Sequence, residues 1–185
     1  MDISQAGAAA ALKDIAVTSA RSQELYLYQK ASPVVMLWGA LWIIAGAVTA
    51  IAPDRSAVAW LTIAAIGTAA TIYHRARRDG DESDDGRARR RYYTVLAISV
   101  GFVAATPVIF APVAGIQMVA FVALLTGAVY MCISAWIGLR YFIVGAALAI
   151  TAGVSFIFLQ GIAQPLTAGI GGLALVVGGR WMRSV

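Results

Sequence analysis

Residues 92–139 and residues 141–179 contain no Asp, Glu, Lys or Arg. A soluble domain has no place for two charge-free runs of this length, because its surface must be polar and its core is thin. About 20 apolar residues in a helix cover the ~30 Å of hydrocarbon in a bilayer, so each run reads as two crossings rather than one. Composition agrees: 61% of residues are hydrophobic and 12% charged, against roughly 25% charged in ordinary soluble domains. Mean hydropathy is +0.80. The chain reads as an all-α integral membrane protein.

Breaks within the apolar stretches set the boundaries. Pro107 and Pro112 bracket a turn at 110–113, and Gly161 through Pro165 divide the last run, since proline biases the residue before it away from helix. Upstream, Ser32-Pro33 has the form of a helix start, a serine cap with proline at the first helical position. At 1.5 Å per residue the uncharged stretch 33–52 spans roughly 30 Å. Pro53-Asp54-Arg55-Ser56 makes a tight turn, with Asp54 or Ser56 available to cap the next helix. Six transmembrane helices are expected, at about 33–52, 56–73, 92–109, 113–137, 140–160 and 165–182, within one domain over 32–185.

Residues 1–31 form a separate N-terminal segment. Alanines at 8 to 11 with Leu12, Lys13 and Glu24 favour helix, and Leu12, Ile15, Ala16 and Ser19 fall on one face at three- and four-residue spacing. A short cytoplasmic helix with a narrow apolar stripe is expected there. The charged start, compact apolar core and cleavage site of a signal peptide do not occur in that order.

Topology follows from where the cations lie. Of the 14 basic residues all but Arg55 sit in the N-terminal segment, the loop 74–91, the turn at Arg140 or the C-terminal end. The positive-inside rule then places both ends and that loop in the cytoplasm. A high pI of 9.7 thus describes membrane-facing edges; no segment is large enough to present a basic nucleic-acid face with polar or aromatic readers, and no direct nucleic-acid binding is expected. Tyr26, Tyr28, Trp60, Tyr73, Tyr92, Tyr93, Trp136, Tyr141 and Trp181 fall near span ends, as interfacial aromatics do.

The loop reads YHRARRDGDESDDGRARRRYY over 73–93. Its acids, Asp79, Asp81, Glu82, Asp84 and Asp85, are flanked by arginines, with Arg87, Arg89, Arg90 and Arg91 on the second side. Arginines beside anionic headgroups would hold an acidic tip clear of the surface, where it can dock a basic cytosolic protein. A solvated loop that only fixes topology explains the same residues. Asp81, Ser83 and Asp85 copy the first half of a calcium loop, but the twelfth position is Tyr92, which has no carboxylate to give.

No catalytic, metal-binding or cofactor-binding set is present. The single histidine, His74, adjoins Arg75, and no carboxylate lies within a span to complete a metal site or an acid–base pair. Spans without ionisable side chains also speak against ion-coupled transport. Cys132 is the one cysteine and cannot form an intrachain disulfide. The polar residues at depth are Gln117, Gln160 and Gln164, whose amides read as glue between helices. Gly39 and Gly46 in the first span, and Ala168, Gly172 and Gly178 in the last, allow close helix approach, either within the body or in a homo-oligomer.

The segments WIGLRYF (136–142) and GGRWMR (178–183) resemble stretches of bacterial inner-membrane proteins, which implies that compartment and nothing about activity. Two functions fit. One is a non-enzymatic regulatory or scaffolding protein of the inner (plasma) membrane that binds a cytosolic partner, such as a transcription regulator, through its loop and tails. The other is a small oligomeric transporter or channel for a neutral or apolar solute.

Overall fold

The computed structural model describes residues 5–78, 86–110 and 114–184. It is 94% helical, without strands among the described residues. Six helices follow in order: α1 (Gln5–Ile51), α2 (Ser56–Arg78), α3 (Gly86–Ile109), α4 (Gly115–Ile137), α5 (Leu139–Phe158) and α6 (Ala163–Arg183), with a single 3-10 turn at Pro53–Arg55 between α1 and α2. Among the described residues four stretches are long and apolar enough to cross a membrane: Ala11–Ile51 in α1, Pro53–Arg77 covering α2, and the whole of α4 and α5. The apolar part of α3 is shorter, Tyr93–Ile109.

Instead of opening a helix, Ser32-Pro33 lies inside α1, which runs 47 residues without a break, about 70 Å at 1.5 Å per residue. A proline in a helix interior removes one hydrogen bond and costs about 3 kcal/mol, so something must hold both sides of Pro33 in line. Buried positions on α1 provide it: Tyr28, Ser32, Val35, Gly39, Trp42, Gly46 and Thr49. Their spacing alternates four and three, the repeat that keeps one seam facing a partner around which the helix coils slightly. The partner is α6, antiparallel to α1, whose buried Ala168, Gly172, Leu175, Gly179 and Met182 repeat the same spacing. This is the most extensive helix contact in the molecule. Ser32, read locally as a cap, donates its hydroxyl to the Gly179 carbonyl at 2.7 Å. Ser32→Ala removes this one buried bond and is expected to lower stability by roughly 0.6–1 kcal/mol, measurable as a small loss of melting temperature in detergent; a drop as large as that of a seam glycine would contradict the assignment.

Helix α6 is the hub. It touches α1, α5 and α4, and it buries nine residues. Yet it is not among the stretches apolar enough to cross a membrane by composition, because glycines and Gln164 stand where a lipid-facing helix would carry Leu or Ile. A helix covered by neighbours needs small side chains for close packing more than large ones for lipid. The second tight pair is α4–α5, in which Gly127 and Gly145 face one another so closely that a Cβ on Gly127 would lie 2.6 Å from the Gly145 carbonyl oxygen. The core where the pairs meet is formed by Tyr28, Trp42, Val144, Leu148, Leu175 and Met182.

The other two helices are attached differently. Helix α2 lies along α1, with Ile63 against Leu41 and Ala45 and the Trp38 indole N–H donating to the Thr71 hydroxyl at 3.1 Å. Helix α3 meets the rest of the described body sparsely, along α4. Among the described residues six helices are present, arranged as a four-helix core (α1, α4, α5, α6) with α2 on its flank and α3 outlying.

Candidate functional site

Polar side chains inside the body gather at two ends. Near one end of α1, Thr49 donates its hydroxyl to the Ala45 carbonyl at 2.8 Å and lies 3.1 Å from the Ser56 hydroxyl. Trp60 donates its indole N–H to Thr49 at 3.3 Å, and the Gln164 amide donates to Ser56 at 3.0 Å. The four bonds are mutually consistent if Ser56 donates to Thr49. The cluster joins α1, α2 and α6 and contains no charge. It is a bonded joint, the role for which an amide in an apolar setting is suited.

The opposite end carries the charges. Tyr28, 21 residues before Thr49 and so about 30 Å away along α1, is almost fully buried. Its hydroxyl donates to a Glu24 carboxylate oxygen at 2.8 Å and accepts the Arg140 backbone N–H at 3.3 Å. Its ring stacks on Tyr141 at 6.0 Å between centroids, and Tyr130 meets Tyr141 edge-on at 5.4 Å. The Arg140 guanidinium lies 5.2 Å from the Tyr28 ring centroid and 4.9 Å from that of Trp181. It also donates to the Trp181 carbonyl at 2.6 Å. That carbonyl belongs to the last turn of α6, where the helix dipole favours a cation.

The turn between α4 and α5 makes this geometry possible. Gly138 has φ 139° and ψ 168°, a conformation open in practice to glycine alone. It brings the turn against the Glu24 carboxylate and the Tyr28 hydroxyl and aims Arg140 across the ends of α1 and α6. The site is thus a clasp: one arginine from a two-helix turn, held by two aromatic faces and a helix C-terminus. In it the phenol is bonded to the carboxylate, and the guanidinium to the Trp181 carbonyl. Among the described residues no group of three His, Cys, Asp or Glu is placed to hold a metal ion.

Beside the clasp, on another face of α1, a cavity of about 390 Å³ is lined by Tyr26, Gln29, Lys30 and Pro33 of α1 and Arg183 of α6. Lys30 Nζ lies 5.7 Å from the Tyr26 ring centroid.

No known protein family, curated protein or solved structure matches this chain. What the molecule does must be argued from its own residues.

The sequence-derived site residues fall as follows. Asp79, Asp81, Glu82, Asp84 and Asp85 lie outside the described residues, as do the side chains of Arg87, Arg89 and Arg91; Arg90 is exposed. Gly39, Gly172, Gly46 and Ala168 meet across the α1–α6 seam, and Gly178 packs on Val144 of α5. Gln117 is placed differently from the reading as helix glue. It is exposed in the first turn of α4, and its side-chain oxygen accepts the Ala114 backbone N–H at 3.0 Å, half of a capping box. An amide three residues inside a helix start satisfies an orphan backbone donor sooner than it reaches a neighbouring helix. Arg140, Tyr28 and Trp181 were not singled out as a set, because they are joined only through the turn at Gly138; the lone arginine between two charge-free runs was their one signal.

Proposed function

We propose that this is a non-enzymatic protein of a bacterial inner (plasma) membrane that holds a cytosolic partner on its arginine-rich side. Helix α1 is the observation that carries the reading. It continues unbroken from the core past Tyr28, and its described side chains from Ala11 to Gln23 are exposed, with Leu12, Ile15 and Val17 among the open apolar ones. An arm in one piece with a buried seam transmits force or displacement to α6, which a tail on a hinge would not. The charged loop 74–91 and the C-terminal end of α6 are placed on the same side by the positive-inside rule. The loop's acids supply charge for a basic partner, and the arm's apolar residues supply contact area. Transport has less support, because the two closest helix pairs are packed backbone to backbone, with no path between them at the crossings.

The test begins with the protein purified in mild detergent from its own host. A stoichiometric soluble partner should co-elute, and it should be lost when Asp79, Asp81, Glu82, Asp84 and Asp85 are replaced by Ser, or when Leu12→Ser and Ile15→Ser are combined. Labelling of a cysteine introduced at Ser83, in a Cys132→Ala background, should require permeabilised cells and so check the topology independently. A clean homo-oligomer with no partner would sink the proposal and make solute flux in liposomes the next measurement.

A further inference from the structure

We infer that the cavity between α1 and α6 binds the phosphate group of an anionic phospholipid. The inference rests on the membrane reading but not on the cytosolic partner. The lining is specific in charge and in donors: Lys30 and Arg183 contribute cations from two different helices, Gln29 and Tyr26 add an amide and a phenol, and no carboxylate is among the lining residues. Tyr26, Lys30 and Pro33 share one face of α1 by their spacing, while Glu24 and Tyr28 lie on the opposite face, where the carboxylate accepts the phenol proton. The acid of the clasp is therefore turned away from the cavity.

Two further observations favour a lipid over a soluble anion. The cavity opens at the level of Pro33, where the charged arm gives way to the uncharged stretch 33–52, and beside the last turn of α6, which carries both Arg180 and Arg183. This is the depth of headgroups if α1 crosses the bilayer. Below it, the same face of α1 continues as Pro33, Leu37, Ala40, Ile44, Ala47 and Ile51, a stripe at four- and three-residue spacing. Ala40, Ile44, Ala47 and Ile51 are exposed. A basic hollow capping an exposed apolar stripe matches a molecule with a phosphate head and acyl chains. Basic hollows between helices on the cytoplasmic side take anionic headgroups by the same physics, a leaflet charge meeting side-chain cations at short range.

Native mass spectrometry and thermal shift on the full-length protein in nanodiscs test this. Phosphatidylglycerol should remain bound and raise the melting temperature, and phosphatidylcholine should do neither. Lys30→Gln with Arg183→Gln should weaken phosphatidylglycerol retention by roughly thirtyfold. Lys13→Gln with Arg21→Gln, the same charge change on the exposed arm, should leave it unchanged. Lys30→Arg with Arg183→Lys should restore it. Equal retention of the two lipids by the wild-type protein overturns the inference without any variant, and so does equal loss in the arm variant, which would mark general surface charge. Protection by inorganic phosphate alone would assign the cavity to a soluble anion and overturn the lipid assignment. Failure of the protein to enter nanodiscs would overturn the membrane reading and this inference with it, while loss of the cytosolic partner alone would leave the lipid result standing.

Discussion

Gly172→Ala will melt well below the wild-type protein, whereas Gly169→Ala, three residues away on the same helix, will melt at or above it. Alanine is the better helix former by about 1 kcal/mol, so helix propensity pushes both variants the same way. Packing separates them. A Cβ on Gly169 meets nothing within 4 Å, while one on Gly172 would lie 2.6 Å from the Gly39 carbonyl oxygen and 3.0 Å from the Ile43 backbone nitrogen. Both are main-chain atoms, which cannot turn aside as a flexible side chain would. The helices must separate, and overpacking of this kind costs roughly 1–3 kcal/mol or more, against the propensity gain. Each kcal/mol moves the melting temperature of a chain this size by roughly 2–4 °C, so a difference of several degrees between the two variants is expected in one detergent. Gly39→Ala should behave like Gly172→Ala, since its Cβ would lie 2.6 Å from the Gly172 carbonyl oxygen. The double variant should lose less than the two single losses together, because helices already moved apart admit the second methyl, the coupling expected of residues in contact. Indistinguishable melting of Gly169→Ala and Gly172→Ala would refute the seam.

Gly138→Ala should be the other severe single change. At φ 139° and ψ 168° an L side chain costs about 1–3 kcal/mol in backbone strain alone. The added methyl would also be driven into the Glu24 carboxylate and the Tyr28 hydroxyl, which together hold the Arg140 backbone in place. Strain and clash combine at one turn, and the consequence reaches three helices, since Arg140 and Tyr141 beside it tie the α4–α5 hairpin to the ends of α1 and α6. We expect a large drop in melting temperature together with a change in the emission of Trp181, whose ring lies against the guanidinium. The two causes can be told apart. Glu24→Ala combined with Gly138→Ala relieves part of the clash and none of the backbone strain, so it should recover part of the lost stability and no more. Full recovery would show that strain at Gly138 is unimportant; a Gly138→Ala protein with wild-type stability would remove the turn from the account of the clasp.

Much of the helix pattern is legible in the residues, because helices long and apolar enough to cross a membrane leave long runs without charge. Charge-free runs mark helices, and the turn at 53–56, the glycine at 138 and the break before Ala163 divide them; Pro107, read as one side of a break, instead lies inside α3, which continues to Ile109. The expected segments 56–73, 113–137, 140–160 and 165–182 differ from α2, α4, α5 and α6 by a few residues at most ends. The small residues Gly39, Gly46, Ala168 and Gly172 are also legible as sites of close helix approach, although a Cβ on Gly169 beside them would meet nothing within 4 Å.

What was not legible depended on a partner far along the chain. Ser32-Pro33 looks like a helix start when only its neighbours are considered, and local capping rules say so. The structure runs the helix through it because the stripe Tyr28 to Thr49 is pinned to α6, more than a hundred residues later, on both sides of the proline. Gln117 failed in the other direction: a local cap was available, and an interhelix role was inferred from its setting. Arg140 gave the positive-inside rule a single cation, whereas its aromatic and carbonyl partners come from α1 and α6. The sequence by itself determined which segments are helical, where they turn and which end carries the positive charge, since each of these is settled by solvation or backbone sterics within a few residues. Only the tertiary structure decided that α1 is continuous, that the glycine-rich α6 sits at the centre, that α3 stands apart and that one arginine closes the core, because each of these is a choice among packing partners whose energies depend on contacts between distant segments.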